Sequence, residues 1–210
     1  MLSVGLTSIP AKCLERLVSH ITSLLTDESQ FAYKPNQSTE YALILPIVLL
    51  YHIIDVVSEH LNKNANNFVR VLFIDYTSAF NTINPPMSMK KMVSQPGIHS
   101  NIINSLYNFL TNQTQTVKTS ANTSDLIKDL IRTPQGCIIS LWMFSFYVSD
   151  MSCQHDNMKY IKYAVKTVVL EFLTATQTSN LQDEGDNLSN CCADNDLLLN
   201  SNKNKRINLH

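Results

Sequence analysis

The chain carries 210 residues, 44% of them hydrophobic, enough for one well-buried core or a core with a smaller lobe, which excludes disorder as the starting point. Sixteen Lys and Arg stand against seventeen Asp and Glu, a formal net charge of -1, so there is no overall electrostatic pull toward nucleic acid and such binding would need a local patch. The five cysteines, Cys13, Cys137, Cys153, Cys191 and Cys192, lack metal-type spacing and read as reduced, buried thiols of an intracellular protein, nucleus or cytoplasm undecided.

The opening "MLSVGLTSIPAKCLERL" has neither a basic start nor a long apolar centre, so it does not read as a signal peptide. After Pro10, residues Leu14, Leu17, Val18, Ile21 and Leu24 recur at the spacing of an amphipathic helix. "DESQFAYKPNQ" reads as a loop, and Ser38, Thr39 and Glu40 start a second helix through "YALILPIVLLYHIIDVV", Tyr41 to Val57. That run contains Pro46, His52 and Asp55 and falls short of the roughly 20 apolar residues of a membrane span, so it reads as a buried helix, kinked at Pro46.

"FVRVLFID", Phe68 to Asp75, is rich in branched and aromatic residues and reads as a strand that ends in a carboxylate. Two helices are expected at about 86–94 and 100–111, then a strand pair in "TQTVKTS" and "SDLIKDLI". "GCIISLWMFSFYVSDM" reads as a largely apolar helix opening after Pro134-Gln135-Gly136, and a last helix is expected around 178–196. Helices and strands mix without a regular βαβ rhythm, which indicates an α+β domain.

Between those last two helices, "KYIKYAVKTVVL", Lys159 to Leu170, reads as a tight hairpin with Ala164, Val165 and Lys166 at its tip. Hairpin turns favour Asn, Asp and Gly because these tolerate φ > 0, and a β-branched Val suits the position badly.

Asp75, read alone, is a strand-end residue or a helix cap as readily as a catalytic group. Its surroundings add to that. "QFAYKPNQST", "FIDYTSAFNTI", "TPQGCIIS", the hairpin at "YAVK" and "LLLNSNKNK" occur in this order, and together they resemble the reverse transcriptases of non-LTR, LINE-type retrotransposons, over nearly the whole chain. The resemblance implies a reverse-transcriptase palm, an antiparallel sheet backed by helices, with partial fingers from about residues 1–66, palm with fingers insertions over about 67–210, and no thumb. It implies an RNA-directed DNA polymerase that works on an RNA template, a DNA primer and dNTP with two Mg²⁺ ions; the oligomeric state stays open, and the short apolar run at Tyr41 to Val57 gives no expectation of a membrane.

Residue by residue, the resemblance makes Asp75 the first metal-binding carboxylate and Lys203 a general acid near the pyrophosphate. Phe80 falls at the position that blocks a ribose 2′-hydroxyl, Gln135 and Gly136 in the loop beneath the incoming nucleotide, and Lys34 at a fingers position facing the triphosphate. Taken without the family, Phe80 reads equally as a core Phe, Pro134 and Gly136 as a turn, and Lys34 and Lys203 as solvated charges.

The hairpin departs from the pattern. The family reads Tyr- or Phe-Ala-Asp-Asp there; Tyr163 and Ala164 match, but Val165 and Lys166 stand where two metal-binding aspartates are expected. Arg132, Leu141, Cys191 and Leu198 also differ from the usual residues. The expectation is a truncated, degenerate copy with the fold retained, in which polymerisation and Mg²⁺ binding are lost and Lys166 pairs with Asp75 in the vacated metal site. Two alternatives remain open: a non-catalytic nucleic-acid-binding remnant that uses the clusters Lys159, Lys162, Lys166 and Lys203, Lys205, Arg206, or a pseudogene product without a biochemical role.

Overall fold

Branched and aromatic residues crowd one stretch of the chain, and in the computed structural model that stretch becomes the longest strand, β1 (Phe68–Thr77). The structure describes residues 29–30, 39–79, 82–111, 114–116, 122–125, 127–128, 138–200 and 203–209. The helix expected between Leu14 and Leu24 lies outside the described residues, as do Cys13 and Cys137.

Helix α1 (Thr39–Lys63) precedes β1, and α2 (Pro85–Val93) and α3 (Ser100–Thr111) follow it. Asn84 caps α2 by accepting a hydrogen bond from the Met87 backbone N–H, and the prolines at the first two helical positions fit where no intrahelical donor is needed. The short strands β2 (Thr114–Gln115) and β3 (Ile127–Lys128) pair antiparallel, as expected. Then come α4 (Ile138–Tyr147), β4 (Met158–Tyr163), β5 (Lys166–Leu173), α5 (Leu181–Asp194), β6 (Leu198–Leu199) and β7 (Lys205–Leu209).

The main sheet is antiparallel, in the order β4-β5-β1-β6, with β7 also paired to β1. On one face Ile74, Tyr76, Tyr160 and Val169 pack with Met92, Leu106, Trp142, Phe144, Tyr147 and Leu188, residues of α2, α3, α4 and α5. On the other face Val69, Val71, Ile161, Val168 and Leu170 pack with Leu49 and Val57 of α1. An antiparallel sheet backed by helices is the palm-like arrangement that the resemblance implied.

Helix α1 corrects an expectation. It is not buried: Leu49, Val57 and their neighbours Ile53, Val56 and Leu61 meet the sheet, while Ile47, Val48, Leu50, Tyr51 and Ile54 are exposed. Among the described residues the helix meets a neighbour, the sheet, along one side. Its helical span runs through Pro46, from Thr39 to Lys63. Among the described residues no helix is long and apolar enough to cross a membrane.

Candidate active site

Successive side chains of a strand point to opposite faces, so Val69, Val71, Phe73 and Asp75 share one face of β1. Helix α1 covers that face over Val69 and Val71. Beyond its cover the face opens, and Phe73 is 38% exposed. Asp75 follows at the rim, with its side chain 15% exposed.

Both edges of β1 contribute to this rim. Across β5, Lys166 is the direct register partner of Asp75, so the two residues share a face. Lys166 is exposed. Across the other edge, the turn that joins β6 to β7 holds the Asp75 backbone: Asn200 N–H donates to the Asp75 carbonyl at 2.9 Å, and Asp75 N–H donates to Asn204 Oδ1 at 3.1 Å. The turn is closed on itself, since the N–H groups of Lys203 and Asn204 both donate to the Asn200 carbonyl. It delivers Lys203 Nζ to 3.2 Å from Asp75 Oδ2. The expected partner of the carboxylate was Lys166; Lys203 takes that place because the turn clamps the Asp75 backbone, while Lys166 lies across the strand.

The hairpin also corrects its expected tip. β4 ends at Tyr163 and β5 starts at Lys166, which pair, so the turn is Ala164-Val165 and Lys166 is already strand. Ala164 carries the positive φ, 50°. Val165 is half-buried and packs against the helix-side core. The apolar side chain is thus accommodated by sinking it toward the helices. Residues 29–30 brace the hairpin from outside: Lys162 N–H donates to the Ser29 carbonyl at 2.8 Å, and Ala164 N–H donates to Gln30 Oε1 at 3.2 Å.

Of the expected basic clusters, the first does not form. Lys162 is 1% exposed, and its ammonium donates to the carbonyls of Met151 at 2.6 Å and Val148 at 2.8 Å. Alternation puts Lys162 on the same face as Tyr160, and its stem reaches the carbonyls that follow α4. The second cluster splits: Lys205 opposes Phe73 and Arg206 opposes Leu72, so the two point to opposite faces of the sheet.

The structure therefore brings Asp75, Lys166 and Lys203 together and keeps Val165 turned toward the core. Lys34, Phe80, Gln135 and Gly136 lie outside the described residues. Four contributors were not singled out in the sequence. Gln30 opens the first of the ordered blocks; Asn200 and Asn204 belong to the Asn-rich "NSNKNK", where short polar side chains close turns; and Phe73 follows from counting back in steps of two from Asp75.

A family model described as reverse transcriptase (RNA-dependent DNA polymerase) matches residues 2–208. No curated protein matches the chain. Among solved structures, a telomerase from Candida tropicalis in complex with a fragment of telomeric RNA superposes with a TM-score of 0.65 at 14% identity, over 93% of this chain and 33% of that one. The telomerase of Candida albicans in complex with the same kind of RNA fragment superposes with a TM-score of 0.61 at 15% identity, over 94% of this chain and 35% of the other. The chain thus spans about a third of the length of these structures, and the likeness is one of fold.

Proposed function

Because the chain belongs to the reverse transcriptase family, we propose that it is a domain of a LINE-type retrotransposon reverse transcriptase, with fingers over about residues 1–66 and palm over about 67–210, in which polymerase chemistry is lost. The five ordered sequence blocks favour that lineage. The observation that carries the loss is the occupancy of the rim: Asp75 meets Lys203 at 3.2 Å, and Lys166 stands directly across from it.

Nucleotidyl transfer through two Mg²⁺ ions needs several oxygen ligands around a pair of hard cations. The residues present do not fit that requirement. Among the described residues no group of three His, Cys, Asp or Glu side chains could hold a metal ion. A lysine about 4 Å from a divalent ion opposes it by roughly 8 kcal/mol at an effective dielectric of 20, twice the value for unit charges. In this reading Asp75 keeps the position of a metal ligand and Lys203 that of a general acid, but they neutralise each other. The resemblance gives Phe80, Gln135, Gly136 and Lys34 nucleotide-binding roles, and the ancestral partners are an RNA template, a DNA primer and dNTP.

Mn²⁺ titration followed by the loss of the free-ion paramagnetic resonance signal tests the reading. The chain is expected to bind no Mn²⁺ at the rim, and Lys166→Asp with Lys203→Ala, which sets a second carboxylate across from Asp75 and removes the cation that holds it, is expected to create a site. Mn²⁺ bound by the unaltered chain and released on Asp75→Ala would refute it. A second reading, a non-catalytic nucleic-acid-binding remnant, is favoured by the exposed Phe73, which lies across from Lys205 on the open face.

A further inference from the structure

Among the described residues, the open face around Asp75 brings that carboxylate together with three ammonium groups. Lys166 shares the face as the cross-strand partner of Asp75, and Lys205 shares it as the partner of Phe73. Lys203 comes in from the turn and touches the carboxylate. Lys166, Lys203 and Lys205 are all exposed. A rim of this composition repels a divalent cation and attracts an anion, the reverse of what a catalytic carboxylate cluster does.

The aromatic side chain beside it narrows the class of anion. Phe73 is exposed on the same face, one strand period from Asp75, or about 7 Å along the strand. A flat apolar ring next to a cationic rim suits a base stacked on the ring with its phosphate among the lysines, the arrangement by which proteins hold single-stranded nucleic acid. Lysines without the ring would favour no particular phosphate.

We propose that the Asp75 rim is a metal-independent phosphate site, in which Lys166 and Lys203 take a phosphate of single-stranded nucleic acid, Lys205 takes a neighbouring one and Phe73 stacks a base. The proposal rests on the reading that no catalytic metal occupies the rim. Asp75 acts there as an internal competitor: its carboxylate holds Lys203, so an incoming phosphate must displace it. Removing the carboxylate frees a cation and takes away a repulsive charge. Removing Asp75 from a metal-dependent site would have the opposite effect.

Fluorescence anisotropy of a labelled oligothymidylate tests this, in chelator and in Mg²⁺ at matched ionic strength. Binding is expected in chelator. Mg²⁺ should weaken it or leave it unchanged. Asp75→Asn should tighten it by about 3- to 10-fold, a gain of about 0.7–1.4 kcal/mol. Lys203→Ala and Lys166→Ala should each weaken it and lower the slope of log affinity against log salt by about 0.7, the value for one single-strand phosphate contact. Phe73→Ala should weaken oligothymidylate but not competition by inorganic tripolyphosphate, which separates a nucleic acid from a free phosphate as ligand. Lys159→Ala, an exposed lysine outside the rim, should change nothing.

The proposal is overturned by binding that requires Mg²⁺, by weakening on Asp75→Asn, or by no binding in either buffer. The first of these would also remove the non-catalytic reading. The last would remove the phosphate site and the nucleic-acid-binding reading, and would leave the loss of polymerase chemistry standing.

Discussion

Lys162 and Lys166 flank one turn and meet opposite environments. Lys166 stands exposed at the rim, whereas Lys162 is buried and donates to the carbonyls of Val148 and Met151 just past α4. That contact ties the strand before the turn to the end of the apolar helix, so the position of the turn depends on it. Lys162→Met keeps the stem and removes the donor. It leaves both carbonyls without this partner and should cost about 2–3 kcal/mol in urea unfolding; a change below about 0.5 kcal/mol would remove Lys162 from this role. The sequence could not show the difference, because a lysine in a strand reads as a solvated charge and only the helix end within reach of its stem makes burial tolerable. The Asp75 pairing was half legible. The hairpin residues put a cation beside the carboxylate, but the choice of Lys203 over Lys166 depends on two hydrogen bonds, from Asn200 N–H to the Asp75 carbonyl and from Asp75 N–H to Asn204 Oδ1, which no spacing predicts.

The hairpin β4–β5 and helix α1 show what patterning conveys and what it misses. Strand β1 and helices α2, α3 and α5 followed from periodicity and turn residues, with bounds close to those expected; α4 and the β2–β3 pair fall within their expected segments. The hairpin followed too, and its tip was misjudged by one residue, because Lys166 already pairs with Tyr163. The turn is Ala164-Val165, and its positive φ falls on Ala164. A residue with a Cβ carries strain there that glycine does not. Ala164→Gly should therefore stabilise the fold by about 0.5–1 kcal/mol, measured as a shift in the urea midpoint at constant slope. Destabilisation would show that the turn conformation is different. For α1, hydropathy indicated burial on all sides, whereas the sheet meets only Leu49, Ile53, Val56, Val57 and Leu61. Apolar content reports how much surface a helix could bury; which face finds a neighbour is decided by the rest of the molecule.

The molecule as a whole keeps a palm-like sheet with cores on both faces, and at its rim Asp75 meets Lys203 with Lys166 across the strand. Burial also affects its response to alkali. It pushes the Cys153 and Cys192 thiols up from 9.0 to about 12, and the Tyr147 phenol up from 10.0 to about 12. From about pH 9 the unfolded chain releases these protons while the folded chain retains them, so folding stability should fall as pH rises between about 9 and 12. Urea unfolding midpoints across that range check this, and a flat profile would contradict it. The fold class was readable because helix and strand patterns mix without a βαβ rhythm and five ordered blocks resemble a family with a palm sheet. The electrostatic state of the rim was only partly readable, because Lys203 and Asp75 are distant in sequence and meet through a turn. The most direct test is primer extension by the purified chain on a primed RNA template with dNTP and Mg²⁺ or Mn²⁺. No incorporation above background is expected with either ion. Incorporation by the unaltered chain that disappears in Asp75→Ala would contradict it.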